Sequence, residues 1–202
     1  MEIFKQIPLY RFLALCNETG LKKEILDCGA GGDTPPLSLF HSYGYSTCGI
    51  ELSERQIQLA NEFADQRGQQ LNIRQGDMRK LPYTDEAFSF VYSYNSVFHM
   101  RKKDVLIAVG EMKRVLRRGG LLFVNFLNIH DFRVGEGIDL GETQYEQFED
   151  GENVIHSYYE YFEADPLFSD MECLYKEYRV LERDFEGNRI RQGFVDYILR
   201  KS

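Results

Sequence analysis

The chain has 202 residues, 43% of them hydrophobic, enough to build one core, and a single domain over residues 1–202 is expected. Its 24 basic and 32 acidic residues leave a formal charge of −8, which is unfavourable for binding phosphate backbones, so no nucleic acid partner is expected. No run approaches the roughly 18 apolar residues of a membrane span, the first residues lack a signal-peptide core, and four cysteines without a C-x-x-C pair read as reduced core thiols; a cytoplasmic setting without membrane contact is the expectation.

Phe4, Ile7, Phe12, Leu15 and Cys16 recur near helical spacing and Gly20 closes the segment, which predicts an N-terminal helix within residues 1–22, lying over the rest like a lid. Then comes Ile25-Leu26-Asp27-Cys28-Gly29-Ala30-Gly31-Gly32-Asp33, an apolar strand (Glu24–Cys28) running into a glycine-rich turn. Pro35 and Pro36 can open the following helix, because a first turn needs no amide donors. Glycine lacks a Cβ, so such a turn can take positive φ and let a ligand lie against bare backbone, with amides at the helix start as donors. These features point to a nucleoside-containing cofactor.

The second strand, Ser46–Glu51, ends in an acid whose carboxylate can accept hydrogen bonds from both hydroxyls of a ribose. Ser53 and Gln56 form a capping box for a helix that buries Ile57, Ala60, Phe63 and Ala64 and stops before Gly68. Leu71–Gln75 reads as a third strand with Asp77 at its tip, and the aromatic run Phe88–Tyr94 as a buried fourth. A helix from Lys103 to Leu116 follows, with Arg101, Lys102, Lys113, Arg114, Arg117 and Arg118 as a solvated face, and then a fifth strand, Leu121–Phe126. From Asn128 to Asn153 the pattern loosens and acids predominate, so residues 128–168 are expected to form a variable region on the substrate side, closed by a short helix near Tyr159–Phe168, the alternative for the acidic stretch being a solvated excursion or short hairpin that merely connects elements. Two long strands, Cys173–Arg183 and Ile190–Arg200, joined through Glu186-Gly187-Asn188, must be antiparallel.

Other nucleotide folds fit less well. The third glycine of a dinucleotide turn is replaced by Thr34, which disfavours a nicotinamide oxidoreductase, and no G-x-x-x-x-G-K-[ST] occurs. Instead Asp27-x-Gly29-x-Gly31, Glu51 and Gln75-Gly76-Asp77-Met78 resemble the first three motifs of class I S-adenosylmethionine-dependent methyltransferases, specifically the small stand-alone type 11 group. Glu111-Met112-Lys113-Arg114-Val115-Leu116-Arg117-Arg118-Gly119-Gly120-Leu121-Leu122 is similar to that family's helix and fifth strand. The resemblance covers roughly residues 22–127 and departs at Asp33, where many members carry a third glycine.

The resemblance implies an α/β, Rossmann-like, doubly wound seven-stranded sheet of order 3-2-1-4-5-7-6 with the last strand antiparallel, and S-adenosyl-L-methionine as cofactor. It implies that Glu51 holds the ribose hydroxyls, Asp77 the adenine amino group, the Met78 amide the adenine ring and the Tyr94 backbone the methionine ammonium. Asp27 would sit near that ammonium, Cys28, Gly29, Ala30 and Gly31 would form the turn, Leu52 and Met78 would wall the adenine, and Gln56 and Asn95 would complete the set. Methyl transfer from a sulfonium is an in-line displacement that needs approach, alignment and a dry pocket more than covalent help. If the acceptor must lose a proton, His99 and then His156 are the candidate bases, with His41 and His130 behind them. Tyr94, Phe98, Tyr158 and Tyr159 could line the pocket and favour the sulfonium through their ring faces.

Tyr94-Asn95-Ser96-Val97 lacks the prolines of the N-P-P-Y motif used on DNA bases and glutamine, so a small-molecule acceptor is expected. No metal is expected, and the chain would be a monomer or a homodimer. A reading from a different class, a non-catalytic S-adenosylmethionine-binding partner or regulator, is compatible with the same motifs.

Overall fold

Apolar residues alternate along the central strands, so neighbours point to opposite faces and each face builds its own core. In the computed structural model, which describes residues 8–149, 151–185 and 187–202, β1 (Glu24–Cys28), β2 (Ser46–Glu51), β3 (Ile73–Gln75), β4 (Phe88–Ser93) and β5 (Leu116–Asn128) run parallel in the order β3-β2-β1-β4-β5. β9 (Met171–Phe185) and β10 (Asn188–Lys201) form a long hairpin, and β10 pairs antiparallel with β5, Phe194 opposite Leu127 through Arg200 opposite Leu121. Counting only these seven strands, the order is the expected 3-2-1-4-5-7-6 with the final strand reversed.

The region after β5 goes beyond the short connecting hairpin weighed for it. β6 (Ile138–Asp139), β7 (Gln144–Glu149) and β8 (Glu152–Tyr159) form an antiparallel set that joins the sheet where Tyr158 and Tyr159 pair parallel with Leu127 and Asn128, making ten strands among the described residues. The helix expected near Tyr159–Phe168 is therefore β8 followed by a single 3-10 turn, Asp165–Phe168, because the β-favouring Tyr158 and Tyr159 find a strand partner in β5.

The helices are α1 (Pro8–Glu18), α2 (Leu37–Ser42), α3 (Glu54–Asp65) and α4 (Lys102–Val115). Ile25, Phe90, Tyr92, Leu121 and Phe123 face one core, under α1 and α2. Leu26, Val91, Leu122 and Val124 face the other, under Val105, Val109, Met112 and Val115 of α4. The lid-like role expected for the N-terminal helix is not what α1 does. Phe12 is fully buried, with its ring 6.0, 6.3 and 5.8 Å from those of Phe40, Tyr92 and Phe123. Phe4 and Ile7 lie outside the described residues.

Two other expectations shift in detail. The fifth strand begins at Leu116, with an irregularity opposite Phe88–Phe90 that takes up Gly119-Gly120. Arg114 and Arg117 are not merely solvated: Arg114 donates to Glu111, Asp85 and the carbonyls of Tyr83 and Leu81, and Arg117 to Glu24 and the carbonyl of Ala87. Cys16 and Cys28 are buried and Cys48 half-buried, whereas Cys173 is exposed. No helix among the described residues is long and apolar enough to cross a membrane.

Candidate functional site

The direction in which strands are added reverses between β1 and β4, and in an open α/β sheet that reversal leaves a crevice outside the strand ends. Here it holds a cavity of about 790 Å³ lined by Gly29, Gly31, Glu51, Gln56, Tyr94, Asn95 and His99. A second lobe of about 290 Å³ shares Gly29, Glu51, Leu52 and His99 and adds Asp77, Met78, Arg79 and Asp104. Volumes of this order suit a drug-sized ligand.

The glycine turn is shaped for close approach. Gly29 has φ +103°, and a Cβ there would lie 1.9 Å from Ser96 Oγ; a Cβ on Gly31 would lie 2.5 Å from Gln56 Cβ. Its amides, however, close the corner on itself. Gly29 and Ala30 both donate to the Ile50 carbonyl, at 2.8 and 3.1 Å, and Gly32 to the Gln56 carbonyl at 3.1 Å. The turn thus presents Cα surface at these positions, and these three amides are engaged within the corner.

Cys28 and Ala30 are fully buried behind the turn and line neither lobe. Asp27 is likewise behind it. Alternation along β1 turns its side chain to the aromatic core that contains Tyr92, and it is 1% exposed. Neither its carboxyl oxygens nor the Tyr92 hydroxyl makes a hydrogen bond of good geometry. Burial pushes the Asp27 pKa up to about 8; the neighbouring phenol lowers it and the Glu51 charge raises it further. A direct contact between Asp27 and a ligand in the cavity is not part of this geometry.

Glu51 stands at the tip of β2, half-buried, with Oε1 accepting from the Ser53 amide at 2.9 Å. Ser53 Oγ caps α3 by accepting from the Gln56 amide, while the reciprocal half of the expected capping box is replaced by Glu51, which takes the Ser53 amide. Leu52, 65% exposed beside the cavity, and the half-buried Met78 offer an apolar shelf. Asp77 is gripped by Arg79, whose Nε and Nη2 and backbone amide donate to it at 2.6–3.0 Å, and its pKa is held down by that guanidinium. Arg79 also lies 3.6 Å from Asp104. Arg79 and Asp104 were missed by sequence reasoning: Arg79 lies in a loop with no period and Asp104 in the first turn of α4, and only the fold brings the two together.

Asn95, at φ +52°, is fixed by a reciprocal amide pair: its backbone N–H donates to Asn125 Oδ1 at 2.8 Å, and Asn125 Nδ2 donates to Asn95 Oδ1 at 2.7 Å. Left-handed backbone at a non-glycine is uncommon and marks a site the surroundings hold in place. Of the expected aromatic wall, only Tyr94 lines the cavity; Phe98, Tyr158 and Tyr159 are core residues.

The two candidate bases are brought together. His99 opens onto the cavity, and its ring lies 4.6 Å from that of the buried His156, edge to face. His156 Nε2 is 3.1 Å from Glu149 Oε2. Burial pushes the His156 pKa down to about 4, helped by the Arg133 charge. His41 sits in α2 and His130 packs against Tyr178, and neither lines the two lobes. Glu149 had no sequence signal beyond being one acid among many.

These residues fit an adenosyl cofactor: two strand-tip carboxylates flank an apolar shelf beside a turn too tight for Cβ atoms. Comparison with known proteins agrees. A family model described as a methyltransferase domain matches residues 26–124. A sterol 24-C-methyltransferase of Gibberella zeae is 29% identical over 114 residues, 54% of this chain and 30% of that protein. A 27-O-demethylrifamycin SV methyltransferase of Amycolatopsis mediterranei is 31% identical over 100 residues, 48% of this chain and 36% of that protein. The matched stretch thus spans about a third of the length of these curated relatives. The crystal structure of a SAM-dependent methyltransferase from Methanosarcina mazei superposes with a TM-score of 0.69 at 26% identity, covering 93% of this chain and 96% of that one.

Proposed function

We propose that the chain, whose residues 26–124 match a methyltransferase-domain model and whose fold is shared with a SAM-dependent methyltransferase, moves the methyl group of bound S-adenosylmethionine to a small-molecule acceptor. The observation that carries the reading is the pair Glu51 and Asp77 at neighbouring strand tips, facing one cavity across Leu52 and Met78. Bound S-adenosylmethionine supplies a methyl group made electrophilic by the adjoining sulfonium.

In this reading Glu51 accepts from the ribose hydroxyls. Three N–H groups of Arg79 engage both oxygens of the Asp77 carboxylate, Nε sharing its one hydrogen between them, and the adenine amino group takes the place that this shared hydrogen only half fills. The Met78 amide meets the adenine ring, Leu52 and Met78 cover its faces, and the Tyr94 carbonyl holds the methionine ammonium. Gly29, Gly31 and Gln56 give the ligand its close approach to the turn, while Asp27, Cys28 and Ala30 support that turn from behind. Asn95, locked by Asn125, sets the direction of the strand tip that carries Tyr94.

His99 and His156 define the acceptor end. His99, which opens onto the cavity, is the imidazole placed to take a proton from an acceptor that must lose one, and His156 lies behind it. Named relatives methylate sterol and rifamycin scaffolds, which suits a small acceptor.

Calorimetry with S-adenosylhomocysteine and labelled methyl transfer from S-adenosylmethionine into a small-metabolite extract test this reading. Wild type should bind and transfer, and Glu51→Ala should lose about 1–3 kcal/mol of affinity, the worth of a buried hydrogen-bonding group. Unchanged affinity in Glu51→Ala would remove the assigned role, and binding without any transfer would leave a cofactor-binding protein instead of an enzyme.

A further inference from the structure

We propose that His99, Glu149 and His156 bind a divalent transition-metal ion at the acceptor end of the cavity, and that the ion presents a hydroxyl or thiol of the acceptor to the methyl group; the second half rests on the function proposed above, the first does not.

One potential ligand atom from each residue lies within 4.8 Å of the other two. Ligands about 2.1 Å from a tetrahedral zinc ion are about 3.4 Å from one another, so small side-chain rotations close the set. The frame that carries them is fixed. Ser157, next to His156, donates its amide to the Phe98 carbonyl at 3.0 Å and its hydroxyl to the Met100 carbonyl at 2.6 Å, which clamps β8 to the loop on either side of His99.

Two independent features point to a cation. His156 has a side chain only 4% exposed, its Nδ1 has no hydrogen-bond partner of good geometry and its Nε2 meets the Glu149 carboxylate at 3.1 Å, and such an under-satisfied buried ring calls for an explanation. Charge adds the second. Glu149 Oε1 is 3.2 Å from Arg133, whose Nε is 3.7 Å from Glu136, and Glu152 lines the same cavity, so carboxylates outnumber the one guanidinium on this side of it. Arg133 can stay on Oε1 as an outer-shell partner while Oε2 turns from His156 to the ion.

Two imidazoles and a carboxylate are a donor set that leaves coordination positions open, as in catalytic zinc and non-haem iron sites. The open side faces the cavity, because His99 and Glu149 both line it. A bound hydroxyl or thiol is acidified by the ion and gives its proton to solvent. Its lone pair then forms the new bond to the methyl carbon as the carbon–sulfur bond of the sulfonium breaks, and that electron pair returns to sulfur. No oxidant or reductant is needed. This departs from the expectation of no metal, since ligands at positions 99, 149 and 156 form no recognisable spacing.

The test is titration of the purified full chain with Co²⁺ and Zn²⁺ alone, followed by visible absorption and equilibrium dialysis, beside S-adenosylhomocysteine calorimetry on the same samples. One equivalent of Co²⁺ with intense bands of low coordination number, displaced by Zn²⁺, is expected. In Glu149→Gln and His99→Ala the metal affinity should fall by at least about 100-fold, with circular dichroism and S-adenosylhomocysteine affinity of Glu149→Gln unchanged. Failure of wild type to bind the metals, or equal binding by both variants, overturns the site. Metal binding without any affinity for S-adenosylhomocysteine would keep the site and overturn the cofactor reading.

Discussion

Asp27 shows how one residue in a motif can be placed correctly and assigned the wrong contact. Its position at the end of β1 was legible, but period two puts it on the same strand face as Ile25, toward Tyr92 and away from the cavity. Its folded-state pKa of about 8 lies far above the ordinary 3.8, so between those values the folded chain holds a proton that the unfolded chain has lost. The stability contribution is therefore fully present near pH 4 and lost as pH rises toward 8, levelling off above that. Asp27→Asn lacks this titration. Urea unfolding at pH 5 and pH 8.5 should show the variant gaining on wild type by at least about 1.4 kcal/mol, the linkage worth of one pKa unit; an equal gap at both pH values would mean that Asp27 is not held protonated. Glu51, Asp77 and Gly29 were legible as cavity residues because each sits at a strand tip or a turn, where position alone decides exposure. Glu149 and Arg79 were not, since their partners come from distant segments or from a loop with no period.

At the scale of elements, the strands and helices up to residue 115, α1 included, follow from apolar spacing and capping, while the place of α1 in the core and the β6–β8 set do not. The lid expected at the N-terminus is a core helix because Phe12, Leu9, Leu13 and Cys16 all meet the sheet. Phe12→Ala should accordingly cost about 3–5 kcal/mol in chemical denaturation, the loss typical of a buried aromatic ring. A loss under about 1 kcal/mol, with altered acceptor turnover, would restore the lid. The β7–β8 hairpin hid from an apolar pattern because it buries polar groups. Gln147, 1% exposed, donates to the carbonyls of Arg133 and Glu136 and accepts from the Tyr158 hydroxyl, so hydrogen bonds replace the apolar side chains that would have marked a strand. Asp150-Gly151, a dipeptide suited to a tight hairpin turn, was the remaining signal, and Asp150 itself lies outside the described residues.

At the scale of the molecule, the parallel order and the reversed final strand place four strand tips around one crevice, and everything assigned to the cofactor depends on that convergence. The charge of −8 favours a cationic ligand over a polyanion. A crystal structure of the chain with S-adenosylhomocysteine tests the convergence most directly. The adenosyl group is predicted between Glu51 and Asp77-Met78, with both ribose hydroxyls in hydrogen-bond contact with the Glu51 carboxylate and the sulfur pointing toward His99. A ligand bound elsewhere, or one in the crevice with Glu51 touching only the Ser53 amide, would contradict it.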